Sequence, residues 1–465
     1  MRCKRRLERK LVIVLSMIMV LALFAGCGKG PESKDTTSEP VVESSDATLV
    51  SEKESTNAES VDTDSSDKSE TGSITIKVAN WDTDTSTPYV RTLVEKFENE
   101  NPNIKVEIID IPGDEYTNKL SIMLNGGNDL DAFWIKEGDT TKALANKGQL
   151  EDLNSYIETA ALDLSVFNGL AENFIMEDNS TVALPASSGF YILYYNKDVF
   201  DAANIEYPSN NMTWDEFEEL AKQLTKGEGA DKTYGSLIHT WQACVQNWAV
   251  QDGKNTIMAT DYSFMKPYYE RILGMQEEGT IMDYATLKTG NIHYSSPFLQ
   301  GTIAMLPMGS WFATTIIEKI NLGESDVNWG IARIPHSADI PSGYTVGSVT
   351  PIAMNAASGK KDAAWEFINY VCSEEGAKIY SEAGSIPSRV SQDTMDIIAN
   401  MDGMPENCLE ALTVENIVLD RPMEKKSADV NQMLGEEHGL IMLGELSIDE
   451  GLAEMAERSK EIQGQ

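Results

Sequence analysis

Hydrophobic and polar positions follow two different periods in the part of the chain that begins near residue 73. Residues 74–79, 104–111 and 130–135 alternate between apolar and polar side chains or are continuously apolar, which is typical of strands. Between the first two of these segments, apolar side chains recur at helical spacing, at Val90, Leu93, Val94 and Phe97. Strands that alternate with helices predict parallel pairing and a layered α/β fold.

Helical signals dominate the middle of the chain. Thr213 followed by Glu216 predicts a capping box at the start of a helix, and helices predominate from there to about residue 321. Strand-like apolar segments return at residues 328–335 and 344–354, and residues 360–373 predict a further helix. The residues after 72 are enough for two ordinary domains or lobes.

The N-terminus has a different pattern. Six of its first ten residues are basic, and residues 11–24 are apolar except for Ser16. A helix that crosses a bilayer needs ~20 apolar residues. This run is therefore typical of a signal peptide, with a short membrane anchor as the alternative.

The apolar run ends in small residues before a cysteine, Phe24-Ala25-Gly26-Cys27. This pattern resembles the lipobox of bacterial lipoproteins, although Phe24 stands where that pattern usually has Leu. The resemblance implies that residues 1–26 are removed and that Cys27 is acylated, which fixes the chain to the outer face of the cell membrane. More than one acyl chain gives firm attachment.

Residues 27–72 are dominated by Ser, Thr, Asp and Glu after Cys27, and residues 28–72 contain no Phe, Tyr, Trp or Ile. Such a segment cannot bury enough apolar surface to offset the entropy of ordering, so we expect a disordered acidic tether. Residues 62–67 resemble a calcium loop, but Asp67 occupies the place of the required Gly. A solvated acidic tract is the better interpretation.

The formal net charge of −37 argues against nucleic acid or an anionic membrane surface as a partner, because both require clusters of Lys and Arg. Outside the leader and the lipobox, the cysteines are Cys244, Cys372 and Cys408, which allow at most one disulfide. Cys372 lies in an apolar helical stripe, where a buried thiol is expected. The four histidines form no HExxH motif, and no GxSxG motif or P-loop occurs, so we predict no catalysis, metal or cofactor.

Six segments occur in a fixed order along the chain: a first strand ending in Trp81-Asp82, "FENENPNIKVEI", "NDLDAFWI" with "LANKGQLEDL", "YYNKDVFDAANIEYP" leading into "TWDEF", "GTIAMLPMGSW", and "PIAMNAASGKKDAAWEFINYVCSEEGAKIYSEAGSIPSR". Together they resemble the extracellular solute-binding proteins of ABC importers, in the sugar-binding group that includes maltose-binding protein. The resemblance extends from about residue 74 to the C-terminus.

This resemblance implies a two-lobed α/β fold with a ligand cleft between the lobes and strands that cross from one to the other. By comparison, one lobe comprises residues 73–187 plus 346–384, and the other residues 188–345 plus 385–465. It also implies a monomer that binds a small-molecule carbohydrate, closes by hinge bending and is recognised by an ABC permease.

Two sets of candidate ligand-binding residues follow strands, where ligands of open α/β sheets bind. Trp81 and Asp82 follow the first strand, although Trp81 could instead cover the adjacent helix. Glu137 and Asp139 follow the strand at 130–135; the family often has an acid in this loop, and the choice between the two stays open. Trp134, inside that strand, is expected in the core.

The resemblance places further candidates near the expected crossovers: Ser188, Gly189, Tyr191, Gly347, Ser348 and Arg389. Tyr191 could also belong to the core or the hinge. Maltose-binding protein has an acid beside the position of Ser188, and its absence here argues against maltose itself.

Tryptophan supplies flat surface for the apolar faces of sugar rings. Trp311 matches a tryptophan that stacks on sugar in the family, with packing under its own helix as the alternative. Trp241 is favoured over Trp248, whose spacing suits the core, and Trp214 and Trp365 are also expected in the core.

Binding without chemistry is the first functional hypothesis. An exported glycoside hydrolase would need two carboxylates facing each other across a cleft, whereas Glu137 and Asp139 share one loop. A receptor-like lipoprotein without transport is a third hypothesis. Within transport, Lys136 and Arg389 keep a polyol phosphate or another polar solute open as the ligand.

Overall fold

The structure is a computed structural model that describes residues 73–84, 87, 89–127, 130–167, 169–406 and 408–464. Its strands are β1 (Ile74–Trp81), β2 (Ile104–Ile111), β3 (Ala132–Trp134), β4 (Leu184–Asn196), β5 (Tyr234–Ser236), β6 (Ile303–Gly309), β7 (Trp329–Arg333), β8 (Tyr344–Met354), β9 (Ile386–Pro387) and β10 (Asn416–Leu419).

The helices lie between and around these strands. They are α1 (Tyr89–Glu100), α2 (Tyr116–Gly126), α3 (Thr141–Asn146), α4 (Asn154–Ala160), α5 (Lys197–Ala203), α6 (Trp214–Leu224), α7 (Ala243–Val250), α8 (Lys266–Glu277), α9 (Tyr284–Thr289), α10 (Ser295–Leu299), α11 (Phe312–Asn321), α12 (Lys361–Val371), α13 (Glu374–Glu382), α14 (Gln392–Ala399), α15 (Cys408–Leu412), α16 (Ser427–Met442) and α17 (Ile448–Gln463).

Local sequence signals account for several of these boundaries. Thr213 and Glu216 form the predicted capping box at the start of α6, which satisfies backbone N–H groups that the first turn leaves unpaired. Helix α1 buries Val90, Leu93 and Phe97, as the periodicity predicted. Strands β5 and β6 lie in a stretch that the pattern predicted as mainly helical. All of β6 is buried, and a strand buried on both sides shows no alternation.

In the first lobe, β1 pairs in parallel with β2 and β3, and β3 pairs antiparallel with β8. Alternate residues of this sheet enter two different hydrophobic clusters: Ile76 and Val78 belong to one, and Ala79 and Phe133 to the other. The sheet is therefore covered on both faces. The resulting mixed α/β, two-lobed fold agrees with the predicted class.

Strand β4 passes from one sheet into the other. Its first part, from Leu184 to Phe190, pairs with β8, whereas its second part, from Tyr191 to Asn196, pairs with β6 and β7. A single large hydrophobic cluster fills the second lobe around that second part. Two of the three predicted lobe boundaries fall inside β4 and β8, the third falls just before β9, and all three stay a prediction.

Two shorter strands lie against this crossing. Strand β9 pairs with β4 at Ser187 and Ser188, and β10 runs parallel to β8 between Tyr344 and Gly347. The polypeptide is therefore hydrogen-bonded as sheet where it passes between the lobes.

The predicted signal peptide, the acylation of Cys27 and the acidic tether lie outside the described residues. Within the described part, no helix combines the length and the apolar composition that a membrane span requires. Cys244, Cys372 and Cys408 are buried free thiols, as predicted for Cys372.

A substitution at Gly235 tests how closely β5 packs against α6. A Cβ at this position would overlap the backbone carbonyl of Ala221, which cannot move without distorting the helix. We expect Gly235→Ala to lower the free energy of unfolding by about 1–3 kcal/mol, measured by urea denaturation.

The same substitution at Gly274 is the matched control. Gly274 lies within α8, and a Cβ there would meet no atom within 4 Å apart from those of its own helix backbone and chain neighbours. Gly274→Ala should stabilise the protein by about 0.5–1 kcal/mol, because alanine loses less conformational freedom in a helix. Equal effects of both substitutions would contradict the packing argument.

Candidate functional site

A cleft with two compartments lies where several strands end. We call the first, of about 410 Å³, the Asp139 compartment; its walls include Asp139, Tyr191, Trp241, Asn247 and Arg421. The second, of about 740 Å³, is the Trp81 compartment; its walls include Trp81, Ser188, Gly189, His293 and Tyr294. Three residues line both compartments, Lys136, Trp311 and Ser348, so the two adjoin.

Trp311 stands at the junction of the two compartments with 38% of its surface exposed. Its indole lies over Gly189 and Gly309, where a Cβ would approach or overlap the ring. The indole N–H donates to the Tyr294 hydroxyl at 3.3 Å, and the ring of Tyr191 meets the indole edge-on at 5.6 Å. The position of Trp311 is thus defined from below by glycine and from the side by two tyrosines, while part of its surface stays open to the cleft.

Trp241 presents a second open indole, 39% exposed, in the Asp139 compartment. Its ring packs edge-on against His239 at 4.7 Å and against Tyr294 at 5.7 Å. Burial lowers the pKa of His239 to about 4, with a further contribution from His293, so His239 is neutral near pH 7. Trp248 is buried and stacks on Trp214 at 3.7 Å, which agrees with its predicted place in the core.

Trp81 ends β1 and lines the second compartment. Its ring packs against Tyr116 at 5.2 Å, and the ammonium group of Lys136 lies 5.9 Å from its centre. Lys136 also donates to the carbonyl of Gly113 at 2.5 Å, so its charge is held beside the indole. Asp82 accepts a hydrogen bond from the backbone N–H of Gly113 at 2.9 Å and is absent from the described walls of both compartments.

Glu137 and Asp139 both line the Asp139 compartment. Glu137 accepts a hydrogen bond from the Thr117 hydroxyl. Asp139 lies in the short 3₁₀ turn after β3, is 4% exposed, and its Oδ1 stands 4.0 Å from a nitrogen of Arg421. Burial raises the pKa of Asp139, and Arg421 opposes that shift.

The segment Asp420-Arg421 adds charge that the sequence analysis missed. It directly follows β10, and the backbone N–H of Asp420 donates to the carbonyl of Gly347 at 2.8 Å. Burial raises the pKa of the Asp420 carboxyl to about 6, with Arg421 opposing the shift. The missed signal is the one that identified Asp82 and Glu137, which are acidic residues just after an apolar strand-like segment.

Asn247 was also missed, because the sequence predicts helices in this part of the chain without showing which of their polar side chains face the cleft. It is 4% exposed and lines the Asp139 compartment beside Gln242 and Gln246. A single helix therefore supplies amides to this wall.

The candidates at the crossovers have different surroundings. Ser188, Gly189, Tyr191 and Ser348 line the cleft. Gly347 is enclosed instead, since a Cβ there would lie 2.5 Å from the carbonyl oxygen of Gly189 and 2.7 Å from Ile417. Gly347 thus allows β4, β8 and β10 to approach one another. Arg389 follows β9 and is absent from the described walls of both compartments.

Among the described residues, no group of three or more His, Cys, Asp or Glu side chains is arranged to hold a metal ion. The cleft instead combines three indoles with carboxylates, amides and one partly exposed guanidinium. Such a surface can stack on flat apolar faces and hydrogen-bond to a polar rim.

A family model described as "Bacterial extracellular solute-binding protein" matches residues 83–378. A crystal structure of a sugar transporter from Rhizobium etli, in an open conformation, is 39% identical with a TM-score of 0.76, covering 83% of this chain and 99% of that one. An ABC substrate-binding protein from Listeria monocytogenes, in complex with cycloalternan, is 23% identical with a TM-score of 0.71, covering 84% and 99%.

Among the curated relatives is the sn-glycerol-3-phosphate-binding periplasmic protein of Escherichia coli K12. It is 24% identical over 330 residues, which are 64% of this chain and 70% of the relative.

The raised pKa of Asp420 predicts a stability that changes with pH. An unfolded aspartate has a pKa of about 3.9, so between pH 4 and 6 the folded state binds more protons, and this carboxyl disfavours folding increasingly as pH rises to 7. We expect Asp420→Asn to raise the free energy of unfolding by about 2–3 kcal/mol at pH 7.5, and this gain to vanish near pH 4.

Asp163→Asn is the control for this prediction. Asp163 is exposed, and hydrogen bonds from Ser165 lower its pKa, so its removal should not stabilise the protein at pH 7.5. Thermal melts from pH 4 to 7.5 provide the measurement. A gain for Asp420→Asn that is the same at both ends of that range would contradict the titration argument.

Proposed function

The chain belongs to the bacterial extracellular solute-binding proteins, and on that premise we propose that it captures a neutral sugar, specifically an oligosaccharide, for an ABC importer. One observation carries the proposal: the cleft presents three indoles, of Trp81, Trp241 and Trp311, beside a rim of carboxylates and amides. Indoles cover the apolar C–H faces of sugar rings, and buried rim groups discriminate between hydroxyl patterns because an unpaired partner costs ~1–3 kcal/mol.

The charge of the cleft favours an uncharged ligand. Lys136 and Arg421 bring positive charge to the Asp139 compartment, whereas Glu137, Asp139 and Asp420 bring carboxylates. Lys136 is already hydrogen-bonded to a backbone carbonyl, and Arg421 lies among the acids. A phosphate would thus meet at least as much negative as positive charge.

A phosphorylated polyol is the second candidate ligand. The relative named for sn-glycerol 3-phosphate favours it, as does the guanidinium of Arg421 at the cleft wall. For this candidate, the guanidinium of Arg421 must turn from the nearby carboxylates of Asp139 and Asp420 and pair with the phosphate instead. A binding lipoprotein without a transport role remains the third candidate.

We further propose that binding closes the two lobes around the ligand by bending of the strands that cross between them. Strand β4 pairs with β8 in one sheet and with β6 in the other, and the Asp139 compartment is lined from both sides of that crossing. The closed monomer then delivers its ligand to the membrane permease, while Cys27 anchors the exported chain by lipid to the outer face of the membrane. Catalysis, including glycoside hydrolysis, forms no part of the proposal.

Ligand binding is tested by a thermal-shift screen of the chain from Gly28 onward, which contains every residue of the three hydrophobic clusters. The panel comprises mono- and oligosaccharides, polyols and sugar phosphates. A ligand that binds only the folded state stabilises it by RT ln(1 + [L]/Kd). We expect a shift with one class of neutral glycan, and a loss of at least about tenfold in affinity in Trp311→Ala, equivalent to about 1.4 kcal/mol.

Trp365→Phe is the matched control, because Trp365 is buried against Tyr156 and should leave ligand affinity unchanged. A shift produced only by charged solutes would overturn the sugar assignment while leaving the family assignment intact.

The lipid anchor is tested separately in a bacterial host. Cys27→Ser should abolish incorporation of labelled palmitate and release the chain from the membrane fraction, because serine lacks the thiol that would carry the lipid anchor. Unchanged membrane association and labelling would contradict acylation at Cys27.

A further inference from the structure

The carboxyl ends of three neighbouring strands are joined through polar groups beside the Trp81 compartment. Strand β1 lies between β2 and β3 and runs parallel to both. Asp82 directly follows β1, Gly113 lies two residues beyond β2, and Lys136 lies two residues beyond β3. We call these three residues the strand-end clasp.

Gly113 is the centre of this clasp. Its backbone N–H donates to the Oδ1 of Asp82 at 2.9 Å, and its carbonyl accepts a hydrogen bond from the ammonium group of Lys136 at 2.5 Å. A Cβ on Gly113 would overlap the Oδ2 of Asp82 and would lie 3.1 Å from the Lys136 nitrogen. The carboxylate and the ammonium group therefore both lie against Gly113, and a larger residue there would push the carboxylate away.

The backbone of Asp82 is in the left-handed region, with a φ of 43°. This region is unfavourable for residues that have a side chain, although aspartate and asparagine enter it more readily than most. Glycine would form the same turn without that strain. Such strain persists where surrounding contacts hold the residue, as Gly113 holds the carboxylate here. The carboxylate, rather than the turn, is therefore the feature that the clasp requires.

Two neighbours meet the indole ring of Trp81. One is Tyr116, at 5.2 Å, whose hydroxyl lies 3.1 Å from the carbonyl oxygen of Ala79 and 2.6 Å from that of Trp134, so its ring is fixed. The other is the ammonium group of Lys136, 5.9 Å from the centre of the indole. An ammonium group on a flexible four-carbon stem stays in place only where other groups hold it. The second neighbour of the indole therefore depends on the clasp.

The backbone of Trp81 is held by other groups. Its carbonyl accepts hydrogen bonds from the Thr87 hydroxyl at 2.9 Å and from the Asn80 side-chain amide at 3.2 Å. Asn80 and Thr87 are both buried. A change that breaks the clasp should consequently release the indole side chain while the end of β1 stays in place.

We infer that Asp82 is a positioning residue that sets the ligand specificity of the Trp81 compartment without touching the ligand. Its carboxylate holds Gly113 and, beside it, the ammonium group of Lys136, which keeps the Trp81 indole in a fixed orientation. The same contacts commit the positive charge of Lys136 to the protein. The consequence for the ligand rests on the proposed function: a fixed indole suits a neutral sugar ring, and a committed ammonium group offers little to a phosphate.

Two substitutions remove the carboxylate and keep the turn. Asparagine has nearly the shape of aspartate and tolerates the left-handed region, and glycine adopts it freely. Asp82→Asn and Asp82→Gly should therefore retain the end of β1 while they weaken the hold on Lys136. If Asp82 served only to form the turn, both variants would behave as the wild type does.

The orientation of the indole is measured without ligand, by ¹⁹F NMR of the chain from Gly28 onward labelled with 5-fluorotryptophan. The chain has eight tryptophans, and the resonance that is missing from Trp81→Phe identifies Trp81. We expect both Asp82 variants to shift and broaden this resonance and to leave that of the buried Trp365 unchanged. An unchanged Trp81 resonance in both variants would overturn the positioning role. A change in Asp82→Gly alone would overturn the part assigned to the charge of the carboxylate.

Isothermal titration measures the effect on specificity, with the tightest-binding neutral sugar of the thermal-shift panel and with sn-glycerol 3-phosphate. We expect both variants to raise the Kd of the neutral sugar about two- to tenfold, because a released side chain must be ordered again on binding. The Kd of sn-glycerol 3-phosphate should fall or stay the same, since the ammonium group of Lys136 becomes available to it. A general loss of structure would instead weaken the binding of both ligands alike.

Asn204→Gly is the matched control for the change in the turn. Asn204 has a φ of 55° at the end of α5 and lies outside the described walls of both compartments. This variant should leave the Trp81 resonance and both Kd values unchanged.

Gly113→Ala breaks the clasp by a second route, because the added Cβ would displace the Asp82 carboxylate. Gly113 is absent from the described walls of both compartments, so no group of the walls is replaced. We expect the same direction of change as in Asp82→Asn, in the NMR spectrum and in both Kd values. Wild-type behaviour of Gly113→Ala would contradict the clasp.

The remaining outcomes separate the clasp from the proposed function. If the Trp81 resonance changes but the ratio of the two Kd values does not, Asp82 orients the indole without setting specificity, and that part of the inference is wrong. If no neutral sugar binds the wild type, the proposed function fails, while the ligand-free resonance still decides whether Asp82 positions the indole.

Discussion

A buried backbone must keep its amide and carbonyl groups hydrogen-bonded, and this requirement governs how the chain passes between its two lobes. Strand β4 satisfies it by pairing with β8 in one sheet and then with β6 and β7 in the next, without a break between Phe190 and Tyr191. The crossing is therefore sheet rather than loop. Each lobe can be well packed on its own while the backbone that connects the two stays hydrogen-bonded.

The cleft follows from the same arrangement. Strands β1, β3 and β10 end near it, and the residues at or just beyond those ends, such as Trp81, Glu137 and Arg421, line its two compartments. Helix α7 supplies Asn247 from the second lobe. The candidate recognition groups thus come from separate elements whose positions are set by the sheets, and the shape of the cleft depends on the relative placement of those elements.

Sequence periodicity predicted β1, β2, α1 and the α6 capping box because their apolar positions alternate or recur clearly. Trp311 was predicted from a resemblance, and residues such as Trp81 and Asp139 were predicted from their place after a strand. Asp420 and Arg421 escaped notice because β10 is short and lies far along the chain from its partner β8. Which buried groups lack partners, as at Asn247, depends on tertiary packing that no local pattern records.

The close contact of two glycines, Gly189 and Gly309, with the Trp311 indole has an evolutionary consequence. Gly189 and Gly309 contact the back of the indole, so a single added methyl group on either strand would tilt the ring while every aromatic and polar side chain of the cleft wall stays the same. The shape of the cleft can then differ between relatives whose aromatic and polar wall residues are identical. Comparisons of such proteins should consequently weigh the glycines behind an aromatic platform as heavily as the platform itself.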